Sequence, residues 1–129
     1  GLSDKPDALR DFALERAKFC ELLGRKVKEA EASVFYSVGL LSTMDAYFDQ
    51  PLEENLGNMS LRPDVKAALL DREGELGAVL DLVERMQLGE PKAIEWDRLA
   101  EFDLSPQVVN ELYMEVIQWQ RQVSAELEF

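Results

Sequence analysis

The chain has 129 residues, 47% of them apolar, a net charge of −12, no histidine and a single cysteine. That is enough for one hydrophobic core and too apolar for a disordered segment, while its uninterrupted apolar runs of only a few residues cannot cross a membrane as a helix. The acidity argues against DNA, RNA and anionic membranes as partners, all of which need clustered Lys and Arg.

The first helix is expected from about Pro6 to Leu23, capped by Ser3 or Asp4 and stopped by Gly24, with Leu9, Phe12, Ala13, Phe19, Cys20 and Leu23 on its apolar face. Nothing before it has the apolar core of a signal peptide. The basic cluster Arg25-Lys26-Val27-Lys28 follows, where the negative end of a helix dipole favours cations. A second helix from about Glu31 to Asp49 is apolar over most of its circumference, which marks it as the central, buried one. Pro51 suits the first turn of a third helix ending near Asn58. Ser60 is the expected cap of a fourth, with Pro63 in its first turn and a body ending at Leu70. The fifth runs from about Gly74 to Leu88 and stops at Gly89. A sixth lies between Pro91 and Glu101. The last has the clearest start, with Ser105 as cap and Pro106 at the first position. No strand pattern or hairpin dipeptide interrupts this series. The expectation is all-α: a single compact helical domain of about seven helices spanning residues 1–129.

Charge is uneven along the chain, with 12 acidic and 9 basic residues from Gly1 to Leu70 against 14 and 5 from Asp71 to Phe129. Cys20 falls on an apolar helix face and fits a packed thiol in a reducing cytoplasm. With no histidine to activate it, it is not a nucleophile. Without histidine, a metal site would need an all-carboxylate cage. The clusters Glu53-Glu54 and Asp71-Arg72-Glu73-Gly74-Glu75 lack the ligand spacing of a calcium loop. No metal, cofactor or catalytic residue is therefore expected. Arg16 and Asp45 are charges on inward helix faces, and they are expected to pair with each other because an unpaired buried charge costs several kcal/mol. Ser37, Gly39, Ser42 and Thr43 form a small-residue stretch suited to close helix packing or to the border of a pocket. Tyr113, Trp119 and Arg121 on the last helix, with the terminal Phe129, are candidates for a partner surface.

Several segments together resemble a known family. Glu15-Arg16-Ala17-Lys18-Phe19-Cys20-Glu21-Leu22-Leu23 is similar to the E-R-A-x-F-C-E-x-L helix of HDOD domains, the HD-related output domains of bacterial signalling proteins. Val38-Gly39-Leu40-Leu41-Ser42-Thr43-Met44-Asp45-Ala46 resembles their V-G-L-L-S-x-x-D-A segment. Pro51-Leu52-Glu53-Glu54, Ala67-Ala68-Leu69-Leu70 and Arg72-Glu73-Gly74-Glu75-Leu76-Gly77 follow in the family's order. The variant is the one found after EAL domains, which are associated with cyclic-di-GMP hydrolysis. The match covers the C-terminal part of such a domain, and the EAL motif itself is absent.

The resemblance implies an HD-like fold that has lost its metal ligands. In HD-type phosphohydrolases a V-G-L-L run leads into a metal-binding His-Asp pair, and here Ser42-Thr43 follows instead. It implies a non-enzymatic, cytoplasmic signal-transduction module acting by protein–protein interaction on a partner or a covalently linked EAL-type domain. The alternative is a small-molecule sensor using the vestigial cavity at Ser42, Thr43 and Asp45. A start at Gly1 rather than Met fits a piece of a longer protein, whose uncovered apolar face is expected to favour homo-oligomers.

Overall fold

The structure is a computed structural model and describes residues 4–44, 51–57 and 59–127. Among these it holds seven α-helices and no strand: α1 (Asp4–Val27), α2 (Ala32–Leu41), α3 (Leu52–Leu56), α4 (Pro63–Asp71), α5 (Gly74–Gln87), α6 (Trp96–Ala100) and α7 (Pro106–Leu127). Short 3-10 turns at Glu29–Glu31 and Pro91–Ala93 complete the order.

α5 is the axis of the fold. Leu76, Gly77, Ala78, Val79, Leu80, Leu82 and Val83 are all buried on it, so neighbours cover both flanks of its apolar stripe. α2, expected to be central, buries only Phe35, Val38 and Gly39 among the described residues and leaves Leu40 40% exposed. An apolar circumference signals burial without saying how many sides are covered. α2 packs chiefly on α1, and its far side stays open.

The close α1–α2 packing depends on glycines. A Cβ at Gly39 would lie 2.9 Å from Ala17 Cα, and one at Gly24 would run into the Phe35 ring. Gly24 therefore does not end α1, which continues to Val27 and stops where Lys28 turns extended, with φ at −158°. α2 ends early because Ser42 and Thr43 turn their hydroxyls back onto the carbonyls of Gly39 and Leu40, both at 2.7 Å.

Other boundaries follow from local chemistry. Arg62, not Ser60, occupies the position before α4, with Pro63 at the first helical position. The expected helix across Pro91–Glu101 is broken, because Ile94 is extended between the 3-10 turn and α6. α7 begins as expected, with Ser105 Oγ accepting the Val108 amide at 3.2 Å. It docks on α1 through the Phe19–Tyr113 stack, whose ring centroids are 5.1 Å apart.

The α4–α5 corner is tight. Arg72 caps α4 in the left-handed region (φ 56°), Gly74 follows at φ 71°, and a Cβ at Gly77 would collide with the Arg72 backbone. Gly77→Ala is expected to lower unfolding free energy by about 3 kcal/mol, the upper end of the usual overpacking cost, because backbone cannot step aside. Gly57→Ala, whose Cβ would stand an ordinary 3.4 Å from Glu53 O, should change stability little. Urea titration of both variants checks the contrast.

Candidate functional site

Where α1, the end of α2 and the C-terminal half of α5 meet, a cavity of about 250 Å³ opens. Phe12, Leu52 and Leu88 form its apolar wall, and Arg16, Ser42, Thr43, Arg72 and Glu84 its polar one. Two of the sequence candidates for a vestigial pocket, Ser42 and Thr43, thus line one hollow. The third, Asp45, lies outside the described residues, and the expected Arg16–Asp45 pair falls there with it.

Arg16 is only 6% exposed, and helix periodicity carries it inward between Ala13 and Cys20. Its Nε donates to Gln87 Oε1 at 2.8 Å and its Nη1 to Ser42 Oγ at 3.1 Å. Nη1 also stands 3.6 Å from Glu84 Oε2, and the guanidinium lies 4.9 Å from the centre of the Phe12 ring. Gln87 completes the link to α1 by donating to the Phe12 carbonyl and to Glu15 Oε2, both at 3.1 Å.

Glu84 joins a second guanidinium. Arg72 Nε and Nη2 donate to its two oxygens at 2.6 and 3.0 Å, a bidentate pairing. Arg72 Nη1 donates to the carbonyls of Leu69 and Ala68 at the end of α4, where a cation is favoured. Arg98 Nη2 in turn donates to the Arg72 carbonyl at 2.7 Å. These contacts hold Arg72 in a conformation that costs a non-glycine residue roughly 1 kcal/mol or more.

The polar groups of this wall largely satisfy one another, and both oxygens of Glu84 are engaged by guanidinium N–H groups. Among the described residues no three Cys, Asp or Glu side chains converge to hold a metal ion. Glu84 and Gln87 are the members that sequence reasoning did not single out, and Arg72 entered it only as part of the Asp71–Glu75 cluster and the Arg72–Gly77 segment. The available signal was a carboxylate one turn after Leu80, on the helix that carries Val79, Leu80, Leu82 and Val83 into the core.

Beside the cavity, sharing Leu52, Arg72, Glu84 and Leu88 with it, runs an open groove of about 660 Å³ between α3, the end of α4 and α5. Burial raises the Asp81 carboxyl there above the usual range, with Arg85 opposing and Glu95 and Glu84 adding to the shift.

The α7 candidates make separate contacts. Tyr113 is spent on Phe19, and Trp119 receives the Lys18 ammonium 5.3 Å from its ring centre. Arg121 is exposed and borders a shallow depression with Asp11, Glu15 and Ile117. Phe129 lies outside the described residues.

No family model matches the chain. No solved structure matches it either. Two curated proteins do. It is 32% identical to "Cyclic di-GMP phosphodiesterase CdgJ" of Vibrio cholerae over 124 residues, which cover 95% of this chain and 28% of that protein. It is 28% identical to "Uncharacterized protein YuxH" of Bacillus subtilis over 121 residues, 92% of this chain and 28% of that one. The chain therefore spans less than a third of the length of either relative. Of the two relatives, one is named for cyclic-di-GMP hydrolysis and the other carries no assigned function.

Two outcomes follow from this geometry. Arg16→Ala is expected to destabilise the fold by about 3 kcal/mol, since it strands buried partners. Arg16→Met, which fills the same space, should cost less, and thermal and urea unfolding rank the two. Cys20 is buried against Gly39, and burial pushes its thiol up from 9.0 to about 12, with Arg16 the largest opposing influence. Above pH 9 the unfolded chain releases this proton while the native chain keeps it. Stability should then fall with rising pH, by up to about 1.4 kcal/mol per unit from this one group. Tyr113, raised by burial and by Glu15, acts in the same sense. Urea midpoints between pH 9 and 11 should decline less steeply in Cys20→Ala, and equal slopes would remove the thiol from the account.

Proposed function

We propose that this chain is an HDOD-like regulatory module of cyclic-di-GMP signalling that acts by protein contact and not by catalysis. It works in the cytoplasm on a partner or linked domain of the EAL type. The pathway assignment is supported by the similarity to CdgJ along 95% of the chain, together with the ordered HDOD-like segments between Glu15 and Leu88.

The observation that carries the non-catalytic part is the seat of Arg16. Its guanidinium lies against Ser42, the residue that follows the V-G-L-L run, where the HD-type pattern has the first of its two metal ligands. A hydroxyl already donating to Gly39 O and accepting from Arg16 is a poor metal ligand. The mechanism is differential contact: a module that touches the active and inactive states of its partner unequally shifts their balance by that difference in affinity.

A sensor reading has the hollow beside Ser42 and Thr43 in its favour. At about 250 Å³ it falls below the roughly 300 Å³ floor of drug-sized ligand sites. A ligand there would also have to break contacts that the wall already makes with itself.

In a bacterium carrying this chain, deleting the coding segment in frame is expected to shift cellular cyclic-di-GMP severalfold, read by mass spectrometry of nucleotide extracts. The purified chain, incubated with cyclic-di-GMP and manganese, should release no linear dinucleotide. An unchanged nucleotide pool overturns the pathway assignment, and hydrolysis by the purified chain overturns the non-catalytic one.

A further inference from the structure

The groove between α3, the end of α4 and α5 places exposed apolar side chains beside carboxylates. Leu70 and Leu88 line it at 37% and 59% exposure, two of the few large apolar side chains left so far from cover. Glu53 and Asp71 stand beside them, exposed and with no ion pair among the described residues. Two further carboxylates, Asp81 and Glu84, lie in the wall.

The groove's two cations are already committed. Arg72 is held by Glu84, and Arg85 stands 3.5 Å from Asp81 and 3.3 Å from Glu90. The groove therefore presents net negative charge. One of its charges is locally unfavourable: Asp71 is the last residue of α4, at the negative end of a helix dipole. A cation brought by a partner would relieve that repulsion. The shape is open, whereas small-molecule sites enclose most of their ligand's surface. Apolar rims flanked by charge are what an amphipathic helix recognises.

We propose that this groove docks a basic amphipathic helix of a partner protein, with apolar side chains against Leu70 and Leu88 and Lys or Arg toward Glu53 and Asp71. The inference rests on the reading of the chain as an interaction module and gives that module its contact face. Its test uses no nucleotide measurement, so the docking face and the pathway assignment can fail separately.

The probe is a synthetic 14-residue Leu–Lys amphipathic helix of about four turns, compared with a Leu–Glu helix of the same pattern, by fluorescence anisotropy against the whole chain. The Leu–Lys peptide is expected to bind and the Leu–Glu peptide not to. Glu53→Lys/Asp71→Lys and Leu70→Ser/Leu88→Ser should each weaken binding by about tenfold, equivalent to 1.4 kcal/mol. Glu111→Lys/Glu115→Lys, which makes the same charge change on the exposed side of α7, should leave it unaltered. Equal weakening by the α7 pair would mean that the overall charge of −12 attracts the peptide, and would overturn the proposal. So would binding of both peptides alike. A concentration-dependent dimer that Glu53→Lys/Asp71→Lys dissolves would put a second copy in the groove and overturn it as stated. If a variant fails to fold, amide shift changes in the wild-type chain on adding Leu–Lys peptide decide. Changes confined to α3–α5 support the proposal, and changes spread over the surface overturn it.

Discussion

Glu84 is the carboxylate on which the fold closes. Arg16 reaches it from α1 and Arg72 from the α4–α5 corner, so one side chain ties the first helix, the fourth and the fifth. Arg16 is the buried member of this group, and a charge so far from water is tolerable only when paired and hydrogen-bonded. The neighbouring groups are arranged accordingly: Gln87 turns one end of its amide to Arg16 and the other to the α1 backbone, while Ser42 brings in the end of α2. Remove the carboxylate and Arg72 loses its bidentate partner.

This arrangement shows how a cavity can persist without offering a vacancy. The glycine contact of α1 with α2 and the hydroxyls that turn α2 aside create the hollow, and they are properties of backbone and packing. The chemistry inside it is separate. Ser42 and Thr43 spend their protons on their own helix, and the positive charge is supplied by a side chain.

How much could be read beforehand depended on whether a feature was local. Ser105 and Pro106 announced α7, and Gly89, at φ 70°, ended α5, because caps and left-handed stops are written within a few residues. Arg16 was recognisable as an inward charge from its place between Phe12 and Phe19. Its partners Glu84 and Gln87 were not, since about 70 residues separate them from it and periodicity on α5 directs the eye to leucines and valines. Gly24 misled for a related reason. A glycine inside a helix and one ending it are identical in sequence, and only Phe35 from another helix distinguishes them. The open side of α2 was likewise decided by what lies opposite, not by the segment itself.

The docking of α7 bears on the order in which the molecule assembles. Its main neighbour is α1, and the hydrogen bond from Gln120 to the Asp11 carbonyl joins positions 109 residues apart. Most other helix pairs are closer in sequence and can meet while the chain between them is still short. Closing a long loop carries an entropic cost before any contact repays it, so seating Tyr113 on Phe19 belongs late in folding. Until then Phe19, fully buried in the finished protein, lacks the ring that stacks on it. The last helix is thus the closing piece of the core, a part that the rest of the chain must already be in place to receive.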